Sequence, residues 1–224
     1  MKTVFQYARF FFYTTSNWSI WLAFFMLYHD IRGAFTYGLR KTFTPVQLKH
    51  LTIENGDITR SSPYEAVNYY MLEKLVKSFR ILSSESSIID LGCGKGRVMV
   101  VAAHSGFKKI TGIDFAKELC DEAVLNMNRA QDRFHDTSWK IIHGNVLDYS
   151  IMADDTVFFM FNPFVEATLN QFLDNLEQSC KQFPRKTWFL YASPVHVSAL
   201  QKRGYKVVFR KKLMNLEGKI LCKD

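Results

Sequence analysis

Short apolar runs alternate with longer segments that carry apolar residues on one helical face, from about residue 63 to the end of the chain. The short runs predict buried strands over residues 88–91, 109–114, 139–143, 156–161, 186–191, 205–214 and 218–222. The longer segments predict helices over residues 65–79, 97–104, 116–129, 165–180 and 194–203. This alternation predicts an α/β fold with a doubly wound parallel sheet. Asn215, Leu216 and Glu217 are predicted to join the last two strands as an antiparallel hairpin.

The end of the first strand carries the most informative motif, Asp90-Leu91-Gly92-Cys93-Gly94-Lys95-Gly96. Its glycines let the backbone turn tightly and approach a ligand, while the free N–H groups of the following helix face the bound group. A dinucleotide-binding turn has the spacing G-x-G-x-x-G, whereas the third glycine comes one residue earlier in this chain. The spacing therefore opposes a NAD-dependent oxidoreductase and favours a different nucleotide cofactor.

Polar residues stand at the ends of three further strands. Asp114 lies roughly 20 residues after the glycine turn, the spacing at which an acidic side chain reaches ribose hydroxyls. The third strand leads into Gly144-Asn145-Val146, and the fourth stops at Asn162-Pro163-Phe164. Because ligands of open α/β sheets bind outside the carboxyl ends of the strands, these motifs predict one site.

The order and spacing of these motifs resemble the class I S-adenosylmethionine (SAM) methyltransferases, whose glycine motif is D-x-G-x-G-x-G. The resemblance covers residues 63–224 and implies a Rossmann-like, seven-stranded sheet with an antiparallel C-terminal hairpin. It also implies SAM as the cofactor. The cofactor-binding residues that it implies are Tyr64, Glu65, Asp90, Gly92, Cys93, Gly94, Gly96, Asp114, Phe115, Asn145, Val146 and Asn162.

The segment Asn162-Pro163-Phe164 resembles the (Asn/Asp)-Pro-Pro-(Phe/Tyr) motif of amino-group methyltransferases. The resemblance implies that Asn162 and Pro163 hold an acceptor nitrogen and that the ring of Phe164 packs on the substrate. This chain departs from the family by having one proline, and by having Asn145 where an Asp usually receives the adenine amino group. The alternative is that this segment is a turn that ends the strand and only lines the cofactor pocket, because proline commonly ends strands.

Residues 1–62 are predicted to form a helical extension ahead of a methyltransferase domain at residues 63–224. Residues 10–28 contain no charged side chain, so a membrane span, an interfacial helix and a helical lid packed on the domain are all open. The apolar run is shorter than the roughly 20 residues of a span, which favours the lid. In similar methyltransferases, the segment of Tyr64 and Glu65 closes over the methionine end of SAM. The alternative for Glu65 is a first-turn acid favoured by the helix dipole.

Composition agrees with one catalytic domain, because 224 residues with an apolar fraction of 48% can bury a large core. Neither the four cysteines nor the six histidines have metal-ligand spacing, so no metal is predicted. Unpaired cysteines favour a reducing, cytoplasmic location, and membrane association through residues 10–28 is the alternative. The formal net charge of +8 makes polyanions such as RNA, DNA or anionic lipid plausible neighbours.

The sequence thus predicts a SAM-dependent methyltransferase that modifies a nitrogen on a protein, a nucleic acid or a small molecule. The alternative is a SAM-binding protein that no longer transfers methyl groups and acts as a binding or membrane-associated partner. The cofactor motifs do not identify the acceptor, because one cradle serves many substrates.

Overall fold

The computed structural model describes residues 8, 11–12, 14–16, 19–39, 42, 46, 64–134 and 136–224. Within them, seven strands form one sheet in the order β3-β2-β1-β4-β5-β7-β6. The strands are β1 (Ser87–Leu91), β2 (Lys109–Asp114), β3 (Ser138–His143), β4 (Val157–Met160), β5 (Thr187–Ala192), β6 (Lys206–Leu213) and β7 (Leu216–Lys223). The helices are α1 (Ile20–Tyr37), α2 (Tyr69–Leu82), α3 (Arg97–His104), α4 (Lys117–Ala130), α5 (Glu166–Gln182) and α6 (Val197–Lys202).

The sheet is parallel from β3 to β5, and β7 then pairs antiparallel with both β5 and β6. Strands β4 and β5 are buried along their whole length, as central strands covered by helices on both faces are. Alternate residues of β4 enter two separate core clusters, Val157 and Phe159 on one face and Phe158 and Met160 on the other. Helices α2, α3 and α4 cover the first face, and α5 and α6 cover the second. The predicted doubly wound sheet with a terminal hairpin is confirmed.

Two predicted boundaries are wrong for local reasons. The helix predicted from Glu65 begins at Tyr69, because the side chain of Asn68 accepts a hydrogen bond from the backbone N–H of Tyr70 at 3.0 Å and caps the helix there. The final hairpin turns one residue earlier than predicted, since Leu216 already pairs with Leu213 in the ladder. Its turn includes Met214, whose φ is 52°.

Helix α1 packs against α2 and α3, and so joins the extension to the sheet. Gly33 permits this approach, because a Cβ at this position would collide with the ring of Tyr69. Glu73 on α2 pairs with Arg32 and accepts a hydrogen bond from the hydroxyl of Tyr37 at 2.9 Å. None of the helices in the described part of the chain combines the length and the hydropathy that crossing a bilayer requires. The predicted boundary at residues 62 and 63 lies outside the described residues.

The first residue of α3, Arg97, is a buried cation that ties the N-terminal segment to the sheet. Its guanidinium donates to a carboxylate oxygen of Asp30 at 2.8 Å and to the carbonyl oxygen of Val67 at 2.7 Å. Two more of its N–H groups reach the hydroxyl of Thr42, and the ring of Tyr69 lies 4.2 Å from the guanidinium carbon. Arg97 and Asp30 are only 4% and 3% exposed, so each charge depends on the other.

We expect Asp30→Ala to lower the free energy of unfolding by about 3–5 kcal/mol, because it leaves the guanidinium of Arg97 buried without a counter-charge. Urea denaturation followed by circular dichroism measures this loss. Asp121→Ala is the matched control, because Asp121 pairs with Lys117 in the open, with side chains 61% and 53% exposed. We expect the control to lose less than about 0.5 kcal/mol. Equal losses in the two variants would contradict a structural role for the buried pair.

Candidate functional site

The glycine turn between β1 and α3 is a cradle made of backbone. Gly92, Gly94 and Gly96 all have left-handed φ values, of 76°, 52° and 76°. The backbone N–H groups of Gly92 and Cys93 both donate to the carbonyl oxygen of Ile113 at 2.9 Å, which fixes the turn against the end of β2. Gly96 stands at the N-terminus of α3 without a side-chain cap. The first turn of α3 therefore keeps backbone N–H groups that a ligand can use.

Two buried carboxyl groups, Asp90 and Asp114, stand at this turn. Asp114 accepts hydrogen bonds from the backbone N–H groups of Gly94 at 2.8 Å and Ala116 at 3.0 Å. Burial raises the pKa of Asp114 to about 6, although these two hydrogen bonds oppose the shift. Burial, with a further contribution from the charge of Asp114, raises the pKa of Asp90 well above its usual value. One carboxylate oxygen of Asp90, Oδ2, is buried and accepts no hydrogen bond in the structure.

Two side chains from distant parts of the chain close over the glycines. The ring of Tyr64 lies against Gly94, where a Cβ would collide with it, and the Tyr64 hydroxyl donates to the carbonyl oxygen of Thr42 at 2.7 Å. Pro163, which follows β4, lies against Gly92 in the same way. The structure thus brings Tyr64, Pro163 and the glycine turn together.

The loop after β3 forms a second edge of this region. The side-chain oxygen of Asn145 accepts a hydrogen bond from the backbone N–H of Leu147 at 3.0 Å and starts a short 3-10 turn. Val146 is buried in the core cluster of the second sheet face. The carbonyl oxygen of Phe115 lies 3.2 Å from Nε2 of His143, which links the ends of β2 and β3.

Asn162 is held at both ends of its side chain at the carboxyl end of β4. Its amide nitrogen donates to the carbonyl oxygen of Ser193 at 2.6 Å, and its oxygen accepts from the hydroxyl of Tyr191 at 2.8 Å. The Tyr191 hydroxyl in turn accepts from the backbone N–H of His196 at 3.0 Å. Asn162 and Ser193 both have left-handed backbones, with φ values of 45° and 47°. Asn tolerates that region better than most residues, which explains its presence at this turn.

Phe164, Glu65 and Cys93 are three further predicted site residues, and the structure gives each a different setting. Phe164 is buried in the second core cluster, which also contains Phe158 and Phe172, and its contact with a substrate stays a prediction. Glu65 is exposed and precedes the start of α2 by four residues, so it is not a first-turn acid.

Cys93 is the third. Its side chain belongs to the core cluster of the first sheet face, and a Cβ on Gly112 of β2 would collide with it. Burial raises the pKa of its thiol well above the usual value, which disfavours the nucleophilic thiolate. Cys93 is thus a small residue that fits beneath the turn.

The sequence patterns do not mark Tyr191 and Ser193, which orient Asn162, or Arg97 and Thr42. Tyr191 lies in an apolar run that predicts only a buried strand, and no local motif marks it. The one sequence signal that could have marked Arg97 is its position, because it is a charged residue directly after the third glycine. Among the described residues, no group of three or more histidines, cysteines or acids could hold a metal ion.

Comparisons with known proteins agree with this geometry. Residues 88–182 match the model of a family described as a methyltransferase domain. No curated protein matches the chain in sequence. The matching segment runs from β1 to the end of α5 and so contains the glycine turn, Asp114, Asn145 and Asn162.

Solved structures share the fold. One is a SAM-dependent methyltransferase from Aquifex aeolicus, with a TM-score of 0.52 and 14% identity over 67% of this chain and 88% of that chain. Another is the magnesium protoporphyrin IX methyltransferase from Synechocystis PCC 6803 with bound SAM. It has a TM-score of 0.52 and 10% identity over 68% of this chain and 77% of that chain.

The residues present suit SAM. The unpartnered oxygen of Asp90 can accept a hydrogen bond from a cationic amine, and the glycines give the turn its left-handed backbone, with Pro163 and Tyr64 packed on Gly92 and Gly94. The family match thus identifies a methyltransferase domain at residues 88–182, and the shared fold of solved SAM-dependent methyltransferases supports SAM as its cofactor.

Proposed function

We propose that this methyltransferase transfers the methyl group to a nitrogen atom positioned by Asn162. The observation that supports this most directly is the fixed side chain of Asn162 beside Pro163, which itself lies on the glycine turn. An acceptor held by Asn162 is therefore close to the cofactor cradle. SAM supplies a methyl group on a cationic sulfur, so the protein's main task is alignment of the acceptor.

In this proposal, the carboxyl groups and the glycine turn bind the cofactor. Asp90 accepts a hydrogen bond from the methionine amino group through its free oxygen, and Asp114 accepts from the ribose hydroxyls while it holds the turn. Gly92, Gly94 and Gly96 let the backbone approach the ligand. Tyr64 covers the turn from the N-terminal side.

The adenine is proposed to lie against Asn145 and Val146, with Phe115 at the neighbouring strand end. The Asn145 side-chain oxygen already accepts one hydrogen bond, from Leu147. A carbonyl oxygen has two lone pairs, so it can accept a second from the adenine amino group.

The acceptor nitrogen is proposed to donate a hydrogen bond to Asn162. The side-chain oxygen of Asn162 uses one lone pair to accept the hydrogen bond from the Tyr191 hydroxyl. Its second lone pair can accept a hydrogen bond from the acceptor nitrogen. The hydrogen bond from the amide nitrogen to Ser193 fixes which end of the side chain is the oxygen. Because both ends are held, the amide is orientated before the acceptor arrives, and little ordering is left for the transfer step.

Methyl-labelled SAM, incubated with the purified protein and fractionated cell extract, tests this function. We expect label in one class of acceptor, and we expect it to survive alkali, because N-methyl groups are stable there whereas methyl esters release methanol. Alkali-labile label would overturn the nitrogen acceptor but keep methyl transfer. Tight SAM binding with no labelled acceptor would favour a SAM-binding protein without transfer.

SAM binding is expected to release protons near pH 6, on the order of one per molecule. Burial raises the pKa of both Asp90 and Asp114, whereas an ammonium group and ribose hydroxyls favour the ionised carboxylates. Affinity should therefore decrease as the pH falls through about 6, the pKa of Asp114. Calorimetry in buffers of low and high ionisation enthalpy measures the release. Identical heats in all buffers would contradict the placement of the two carboxyl groups at the ligand.

Gly94→Ala is expected to weaken SAM binding at least about tenfold, because the new Cβ collides with Tyr64 and the left-handed backbone is strained. Gly106→Ala is the matched control, since its φ is 85° but the nearest atom to a new Cβ lies 3.9 Å away. Both variants should lose some stability in urea, and the control alone should keep its affinity for SAM in calorimetry. If both bind SAM equally well, the turn does not contact the ligand.

Asn162→Gly is expected to lower turnover on the labelled acceptor by about a hundredfold and to leave SAM affinity nearly unchanged. Glycine removes the amide and still accepts the left-handed backbone of residue 162. Tyr191→Phe should reduce turnover less, because it frees the Asn162 oxygen but keeps the amide. Tyr205→Phe is the control, since its buried hydroxyl contacts Thr187 instead. Loss of SAM binding in Asn162→Gly would assign Asn162 to the cofactor.

A further inference from the structure

The outward face of α1 is an apolar stripe. Trp21, Phe24, Tyr28, Ile31 and Phe35 follow one another at spacings of three and four residues, which places them on one side of a helix. All five are exposed, from 41% for Ile31 to 80% for Phe35. We refer to these five residues as the outer stripe.

The two acidic and basic side chains of α1 are both paired with residues of later helices. Asp30 is buried against Arg97, and Arg32 pairs with Glu73 on α2. A helix on the surface of a water-soluble domain normally shows charged residues to solvent and apolar residues to the core. Here the apolar residues face outward, and a contiguous exposed apolar patch of this kind marks an interaction surface.

The chemistry of the segment identifies the partner. Residues 1–50 contain six basic residues and one acidic residue, and the acidic one is Asp30, which Arg97 neutralises. Arg32 in turn pairs with Glu73, so the segment carries a net positive charge from its other basic residues. Exposed Arg133 adds a further cation at the C-terminal end of α1, where it donates to the carbonyl oxygens of Phe35 and Thr36 at 3.1 and 2.8 Å.

We propose that α1 lies in the plane of an anionic membrane surface with the outer stripe inserted among the lipid headgroups. Four of its five residues are aromatic, the residue type that suits the boundary between water and hydrocarbon. Interfacial helices combine such a face with basic residues that contact anionic lipid. A second copy of the chain is disfavoured as the partner, because it would bring two positive segments together.

Sedimentation of the full chain with lipid vesicles tests this proposal independently of methyl transfer. We expect the protein to bind vesicles that contain about 30% phosphatidylglycerol, to bind phosphatidylcholine vesicles weakly, and to dissociate as salt is raised. The double variant Phe24→Ser/Phe35→Ser should bind the anionic vesicles at least about tenfold less.

The matched control is Ile81→Ser/Phe183→Ser, which removes apolar residues that are 79% and 52% exposed elsewhere on the surface. We expect it to bind like the unmodified protein, and calorimetry with SAM verifies that both variants are folded. Failure of the unmodified protein to bind anionic vesicles would overturn the proposal, as would equal binding by the stripe variant. Light scattering can also show whether the unmodified protein forms a dimer that the stripe variant does not form. Such a dimer, together with no vesicle binding, would assign the outer stripe to a second copy of the chain.

Discussion

The buried guanidinium of Arg97 is the constraint on which the arrangement of the cofactor turn depends. A charge that is 4% exposed is stable only when an opposite charge and hydrogen-bond acceptors surround it. Asp30 and Thr42 come from the N-terminal segment, and the Val67 carbonyl precedes α2. Because Arg97 directly follows the third glycine, the same interactions that neutralise it also fix the start of α3 beneath the cradle.

The two carboxyl groups at the cradle differ in their hydrogen bonds. Asp114 accepts from a backbone N–H group with each of its oxygens, so it fixes the conformation of the glycine turn. Asp90, on the neighbouring strand, keeps one oxygen without a partner. Burying two acids together disfavours their ionisation, and a cationic ligand removes that penalty. In the proposed function, the positively charged sulfur and nitrogen of SAM supply this cationic charge.

The sequence predicts the fold well because the signals are local. Continuous apolar runs predicted the ends of the central strands to within one or two residues, and the glycine spacing identified the cofactor class. The start of α2 was missed because Asn68 overrides the helical pattern that begins at Glu65. The orientation of Asn162 was out of reach, since Tyr191 and Ser193 lie 29 and 31 residues further along the chain.

The buried ion pair has a consequence for how this chain can recombine with others. A catalytic domain that began at residue 63 would retain Arg97 but neither Asp30 nor Thr42. A different N-terminal segment could replace the present one only under one of two conditions. Either it places its own acidic residue beside Arg97, or an apolar residue replaces Arg97 at the same time. Removing both charges of a buried pair is tolerated, whereas removing one of them is not. Relatives that lack an acid at the position of Asp30 should therefore also lack the arginine after the third glycine. The extension and the glycine turn are therefore expected to be inherited together, although Asp30 and Arg97 are 67 residues apart in the chain.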